Sequence, residues 1–394
     1  MLQRLKEIGA ALQLGESSLS IGSKLRAAGL SGDETATLLT QAELRIRGRA
    51  KFGEAAEHML FTRAGLEQAS RDLVSQAHAA RFAAAGMHNV ADLGCGIGSE
   101  SLALAAAGVG VVAVEIDSLT ARFAEHNLRT LHPELSDSKR LRVLTEDAMT
   151  TSLTDVDAVF LDPARRTAGH RDTRRITQPD DYSPPLDFVF GLAERLPLGV
   201  KLGPGFDRDL IPQQAEAQWV SVNGQLVEMA LWFGALARPG VGRAALVLRS
   251  GSEESEAHEL TSDADSDDAE VRTLGAYIYE PDGAIIRARL IGLLANQLGA
   301  GMVSDHIAYL THDHHIETPF AQAFRVVEQL PAREKALRRA LAERSIGQLE
   351  IKKRGVDVDP AGLRTRLRLK GPNSATLILT RVAGVHTALL AERM

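Results

Sequence analysis

Between positions 90 and 98 the chain reads Val-Ala-Asp-Leu-Gly-Cys-Gly-Ile-Gly, an apolar run that passes into alternating glycines. Glycines so placed let backbone N–H groups come close to a ligand, because no Cβ intervenes and positive φ carries no penalty. A dinucleotide fingerprint requires a further glycine at position 99, where this chain has Ser99. Carboxylates follow at regular intervals. Glu115 closes the run Val111-Val112-Ala113-Val114, where a carboxylate can accept two charge-assisted hydrogen bonds from ribose hydroxyls. Asp147 closes Val143-Leu144-Thr145-Glu146, where its carboxylate can accept from a ligand's amino group. Asp92, before the first glycine, either meets a ligand ammonium or holds the turn. Taken singly, Glu115 is also an ordinary strand end, Asp147 a helix cap and Asp92 a turn residue. Their succession at strand ends points to one bound ligand.

Asp-Leu-Gly-Cys-Gly-Ile-Gly resembles motif I of class I S-adenosylmethionine-dependent methyltransferases. That resemblance implies S-adenosylmethionine as cofactor. The contact set expected for it is Asp92, Gly94, Cys95, Gly96, Gly98, Glu115, Ile116, Asp147 and Ala148. Cys95 lies inside the turn, where the motif often carries a small residue, so it is read as packing rather than as a nucleophile. It is also the chain's single cysteine. Methylation of a pyrimidine C5 through a covalent cysteine adduct is thereby excluded, as are an internal disulfide and a multi-cysteine zinc site.

A fourth apolar run ends Leu161-Asp162-Pro163-Ala164-Arg165-Arg166. In amino-methyltransferases the corresponding strand end carries Asp or Asn, two prolines and an aromatic that stacks on the base. The resemblance makes Asp162, Pro163 and Arg165 the catalytic candidates, with Arg165 in the aromatic's place. Its planar guanidinium can stack on a base or grip phosphate. Asp162 would orient the acceptor amine, or serve as its base if the amine carries a proton. Arg165, Arg166, Arg171, Arg174 and Arg175 put five arginines within eleven residues, beside His170. They are expected to bind an anionic substrate, although Asp172, Asp180 and Asp181 would equally balance a solvated loop. Lys201, in Lys201-Leu202-Gly203-Pro204-Gly205-Phe206, either shapes the substrate mouth or begins an ordinary tight turn.

These residues need a scaffold. Short apolar runs at 90–93, 110–116, 141–144, 156–161, 199–202 and 244–248 alternate with helical stretches. Buried parallel strands covered on both faces follow from that alternation, giving a doubly wound α/β Rossmann-like sheet with ligands at the strand carboxyl ends. Residues 1–82 read as helical, including one helix capped by Thr62 and running through Val74 towards Phe82. The α/β domain spans 83–250, and 251–272 reads as an acidic linker or loop. A smaller α+β, ferredoxin-like domain takes 273–394. In it, strands are expected at 276–279, 306–310, 324–330, 347–353 and 375–382, with helices at 284–298, 332–345 and 360–366. The cluster His312-Asp313-His314-His315 alternates like a zinc-binding strand but lacks a further convergent ligand, so no metal is expected.

At 394 residues the chain needs two or three domains. No apolar run approaches a membrane span, and the first residues lack the apolar core of a signal peptide, so a cytoplasmic protein is expected. Net charge is −6, yet its distribution is uneven. Nine acids and no Lys or Arg occupy 252–270, whereas 331–394 carries fourteen Lys/Arg against six Asp/Glu. That tail can face a polyanion or be a solvated surface.

Lys51-Phe52-Gly53, Met59-Leu60-Phe61-Thr62-Arg63, Tyr279-Glu280-Pro281-Asp282, His306-Ile307-Ala308-Tyr309-Leu310 and Leu349-Glu350-Ile351-Lys352-Lys353-Arg354-Gly355 complete the pattern. With them the chain resembles a bacterial family of class I methyltransferases that carry a C-terminal THUMP-like domain. THUMP domains proper are RNA-binding modules, so the resemblance implies a tRNA or rRNA substrate, methylated on a base nitrogen. Lys352, Lys353 and Arg354, with Arg364, Arg366 and Arg368, are the expected RNA contacts. Few aromatics favour backbone or shape recognition over base stacking. Two other functions stay open: methylation of a protein or small molecule, and a non-catalytic binding protein that keeps the fold.

Overall fold

The computed structural model describes residues 2–136, 140–165, 182–251 and 255–394. The chain divides into two compact units, residues 1–215 with 230–238, and residues 216–229 with 239–394. Among the described residues no helix is long and apolar enough to cross a membrane.

The first unit opens with five helices, α1 (Leu2–Gln13), α2 (Ser18–Ala27), α3 (Gly32–Phe52), α4 (Arg63–Gln68) and α5 (Asp72–Ala84). Ser31 and Glu34 close a reciprocal capping box at the start of α3, satisfying two of its orphan N–H groups. The single helix expected from Thr62 to Phe82 is two, because Lys51 takes the carbonyls that another turn would use. Its Nζ donates to Leu66 O (2.7 Å), Glu67 O (2.9 Å) and Ala69 O (2.6 Å). Strands β1 (Asn89–Leu93), β2 (Gly110–Val114), β3 (Leu141–Leu144) and β4 (Ala158–Leu161) follow, with helices α6 (Ser99–Ala106), α7 (Ser118–Leu131) and α8 (Pro133–Ser136) between them. A two-stranded ribbon, β5 (Ala164–Arg165) against β6 (Tyr182–Ser183), precedes α9 (Leu186–Ala193) and β7 (Leu198–Leu202). The main strands are parallel, in the order β3-β2-β1-β4-β7. This is the doubly wound arrangement expected, and all four described β4 residues and all five of β2 are buried. Gly199 is dictated by packing: a Cβ there would lie 2.7 Å from the Trp232 ring and 3.2 Å from Phe82.

In the second unit, β8 (Glu216–Val222) turns into β9 (Gln225–Phe233), whose last residues belong to the first unit. Neither strand was expected, although the turn is the strongest short hairpin signal there is. Asn223 (φ 52°) and Gly224 (φ 77°) both take positive φ, as a two-residue primed turn demands. β10 (Arg243–Ser250) runs parallel to β8 and antiparallel to β11 (Ser255–Ser262). β11 corrects the reading of 251–272 as linker. An edge strand needs hydrogen bonds from one side only and tolerates charge, and here only Leu260 is buried.

A seven-stranded sheet follows, built from β12 (Tyr277–Pro281), β13 (Gly301–Met302), β14 (Leu310–His312), β15 (Ala321–Leu330), β16 (Ile346–Lys353), β17 (Asn373–Val382) and β18 (Val385–Arg393), ordered β13-β14-β12-β15-β18-β17-β16. Its helices are α10 (Gly283–Arg287), α11 (Ile291–Leu298), α12 (Glu334–Glu343) and α13 (Pro360–Leu367). The expected helix at 284–298 breaks at Arg289 (φ 60°), whose carbonyl accepts from Ser266 N and Ser266 Oγ, both at 2.9 Å. The expected strand at 306–310 begins only at Leu310, because His306 takes φ 57°. The closing β18 was not expected. His312 turns inward on its own loop, accepting at Nδ1 from the His314 N–H (3.0 Å), and among the described residues no group of His, Cys, Asp or Glu is placed to hold a metal.

Candidate active site

The glycine turn leaves the carboxyl end of β1 and is tied to the neighbouring strand. Gly94 N and Cys95 N both donate to Val114 O, at 2.8 and 2.9 Å. Gly94, Gly96 and Gly98 take φ of 81°, 57° and 87°, and Gly98 caps α6. A Cβ at Gly94 or Gly96 would meet nothing within 4 Å, so the turn offers open backbone. Glu115 stands beside it and does more than end a strand. Its Oε2 accepts from Gly96 N (3.1 Å) and its Oε1 from Asp117 N (2.9 Å), so one carboxylate fixes the turn and the start of α7 together. Ile116 is 69% exposed, an unusual state for a large aliphatic residue at a strand end. Asp147 is exposed and accepts from Met149 N (2.9 Å), with Ala148 half-buried between them. The Glu115 N–H to Leu144 O bond (3.0 Å) keeps these two strand ends adjacent.

Asp92 is buried below the turn, where its Oδ2 accepts from Ser101 Oγ (2.6 Å). Burial pushes its carboxyl up to about 7, with the Ser101 hydrogen bond opposing and the charges of Glu100 and Asp162 adding to the rise. The Cys95 thiol is also buried and pushed well above its ordinary value, by burial first and then by Asp92 and Glu115. A thiol so held is protonated, in keeping with a packing role.

Asp162 and Lys201 emerge from adjacent strands, just beyond the paired Leu161 and Val200 of β4 and β7. Lys201 Nζ lies 2.5 Å from Asp162 Oδ2 and 3.5 Å from Gln68 O. Pro163 is buried behind them. Arg165 ends β5, while His170 and the expected substrate arginines Arg166, Arg171, Arg174 and Arg175 lie outside the described residues. The stretch after Lys201 does form a tight turn, closed by Phe206 N to Gly203 O (2.9 Å), and the Phe206 ring sits edge-on to Tyr182, 6.2 Å between centroids.

Sequence reasoning missed the layer beneath. His78 and Glu100 form a buried pair, Nδ1 to Oε2 at 3.2 Å, with Ser75 Oγ donating to Glu100 Oε1 (2.9 Å). Burial opposes ionisation of Glu100, but the His78 charge and hydrogen bond, with Lys201 and Ser70, hold its carboxyl below the ordinary value. The His78 ring packs 5.4 Å from Phe160 and 5.6 Å from Trp232. The available signal was Glu100 itself, an acid on the short helix after the glycine turn whose other residues are almost all small or apolar. Residues 59–61 were also missed as a structural strap. Arg45 Nε donates to Met59 O (2.8 Å), Gln41 bonds both backbone groups of Phe61, and Asn127 bonds both of Leu60. Asn127 Nδ2 donates in addition to Ile97 O of the glycine turn (3.0 Å).

In the second unit, Lys352 is engaged internally: its Nζ lies 2.6 Å from Glu280 and 5.7 Å from the Phe324 ring centroid. Arg354 lies 4.0 Å from Glu280 and 5.3 Å from the Tyr309 centroid. Lys353 is exposed. Arg364 Nε donates to Leu349 O (3.1 Å) and Arg366 pairs with Glu334 (3.0 Å), whereas Arg368 is exposed at the end of α13.

Two family models match the chain: Methyltransferase small domain over residues 55–178, and THUMP domain-like over residues 321–393. The chain is 34% identical over 361 residues to an uncharacterised S-adenosylmethionine-dependent methyltransferase of Mycobacterium tuberculosis, found alike in two strains. That match covers 89% of this chain and 94% of the relative. Among solved structures, a Porphyromonas gingivalis W83 protein provisionally described as a methyltransferase superposes with a TM-score of 0.74 at 22% identity, covering 93% of this chain and 92% of that one, so the two share a fold.

Proposed function

Because this chain belongs to the S-adenosylmethionine-dependent methyltransferase family of its mycobacterial relative, we propose that it methylates a base nitrogen of structured RNA. The observation that carries the nitrogen is the Asp162–Lys201 pair at the strand carboxyl ends beside the glycine turn. The Asp162 carboxylate, held by the Lys201 ammonium, is placed to accept a hydrogen bond from a target N–H. That suits a neutral amine, which is held and aligned rather than deprotonated before it attacks.

The residues present fit the cofactor. Gly94 and Gly96 leave the turn open, Glu115 supplies the carboxylate at the end of β2, and Ile116 offers an exposed apolar surface of the kind an adenine packs on. S-adenosylmethionine, when bound, supplies a methyl group made electrophilic by its sulfonium. The chain's own work is then positional. Lys201 fixes Asp162, Asp162 accepts from the target N–H, and Pro163 stiffens the backbone after it. Alignment of this kind is worth roughly 7–11 kcal/mol of a barrier.

RNA as the acceptor is supported by the THUMP domain-like match over 321–393 and by the basic excess of the same region. The test compares modified-nucleoside profiles of total RNA from cells with and without the gene, followed by transfer of labelled methyl to the RNA lacking the mark. One methylated nucleoside lost with the gene and restored by the purified protein is the expected result. Unchanged RNA, with label entering a protein or small molecule instead, overturns it.

A further inference from the structure

We infer that the groove between α12 and the end of α13 docks the phosphodiester backbone of a structured RNA, an inference that rests on the RNA reading above. The sequence pointed first to Lys352 and Arg354, but Glu280 and the Phe324 and Tyr309 rings engage those two inside the unit. The outward-facing cations that gather on one surface lie elsewhere, with Arg368 among them. On α12, Lys335, Arg338, Arg339 and Ala342 fall at i, i+3, i+4 and i+7, one continuous face, while Leu337, Ala340 and Leu341 are buried on the other. Arg333, Arg368 and Lys370 join that face to line a groove of about 820 Å³ floored by alanine and leucine.

Three features make this a docking surface rather than a scatter of solvated charge. First, Arg339 pairs with Glu343, yet among the described residues Arg333, Lys335, Arg338, Arg368 and Lys370 have no carboxylate partner. Five uncompensated cations on a chain of net charge −6 concentrate a positive field in one place. Second, Arg368 ends α13 with φ 48°, in the left-handed region where glycine is the usual residue, so a cation stands at a position that would be easier for glycine. Third, no aromatic side chain lines the groove. The lining groups that carry charge are guanidinium and ammonium groups, the chemistry that grips phosphate and reads backbone shape.

The test uses the full chain and a transcribed tRNA, with affinity measured by anisotropy from about 50 to 300 mM KCl. In Arg338→Ala/Arg368→Ala/Lys370→Ala, affinity falls at least tenfold at low salt. The slope of log affinity against log salt loses about two to three, since each phosphate contact contributes about 0.7–0.9. Cofactor binding by calorimetry and the melting temperature stay at the wild-type values, because these side chains are exposed and unpaired. Arg338→Glu weakens binding further, whereas Lys352→Ala leaves the slope as it was. A triple variant with wild-type affinity and slope overturns the groove while the RNA reading stands. Wild-type protein that neither binds nor methylates RNA overturns both. A groove that binds polyglutamate in preference to tRNA is a protein interface, and the inference is then wrong.

Discussion

Lys201 Nζ sits 2.5 Å from Asp162 Oδ2, and the two side chains leave neighbouring parallel strands at the same end. The lysine side chain is 15% exposed and the aspartate 38%, so the pair spans the boundary between interior and open edge. Lys201 also acts on its surroundings. It helps hold Glu100 ionised, and after burial itself it is the next cause depressing the Lys51 ammonium.

From this pair follows the first prediction. Asp162→Ala removes turnover while cofactor affinity stays within about twofold, and Lys201→Met lowers kcat by roughly 10- to 100-fold. Lys201→Arg recovers part of the loss, since it restores charge without the same geometry. Single-turnover rates with labelled cofactor, alongside calorimetry, make the comparison. Full activity in Lys201→Met would show that Asp162 needs no orientation.

Glu115 bridges Gly96 N and Asp117 N, so its removal frees two backbone donors at the turn as well as any ribose contact. Glu115→Ala is expected to weaken cofactor binding by roughly 1.5–3 kcal/mol, about tenfold to a hundredfold. Calorimetric titration with S-adenosylmethionine reads this directly. An unchanged Kd would mean that the turn keeps its shape without the carboxylate and that the ribose lies elsewhere.

How much of this was legible in the sequence depends on the range of the interactions. The strand ends that carry the glycine turn, Glu115, Asp147 and Asp162 could be read because local spacing fixes where those strands stop. β8 and β9 were overlooked despite the Asn223-Gly224 turn, and β11 was hidden by its acids, which an edge strand tolerates because little of it is buried. The Asp162–Lys201 and His78–Glu100 pairs join positions 39 and 22 residues apart, and no local pattern encodes such a meeting. Lys51 illustrates the same limit: capping α4 from 15 to 18 residues away, it ends a helix whose own periodicity would continue.

Asp92 makes stability depend on pH in a defined direction. Its carboxyl is raised from 3.8 to about 7 by burial. Below pH 3.8 it is protonated in both states and costs nothing; between the two values the folded state keeps a proton that the unfolded chain has lost. Stability therefore falls as pH rises through that window, and the penalty is complete above about 7. Asp92→Asn keeps an acceptor for Ser101 and has no such titration. Its gain over wild type, from urea unfolding, should be larger at pH 8 than at pH 5 by roughly 2–3 kcal/mol. An equal gain at both pH values would show that Asp92 is ionised throughout.

Asn127 links the strap at 59–61 to the glycine turn. Its Oδ1 accepts from Leu60 N at 2.7 Å, and its Nδ2 donates to Leu60 O and Ile97 O, both at 3.0 Å, with the residue wholly buried. α4 adds a steric contact from the same side: a Cβ on Gly65 would lie 2.5 Å from Ile97 Cγ2. Asn127→Ala leaves the buried Ile97 carbonyl and both half-buried backbone groups of Leu60 short of a partner and should cost roughly 2–4 kcal/mol of stability by urea unfolding. Asn127→Asp keeps one acceptor, loses both donations and buries a charge, so it should be at least as damaging. Both variants should also weaken cofactor binding, because the Ile97 carbonyl lies inside the turn. Gly65→Ala, which pushes on Ile97 and crowds the Thr62 Oγ1 that caps α4 but leaves the Asn127 bonds in place, should weaken it too. If stability falls while calorimetry returns the wild-type Kd for all three, the strap supports the fold alone and the turn holds its shape through Glu115.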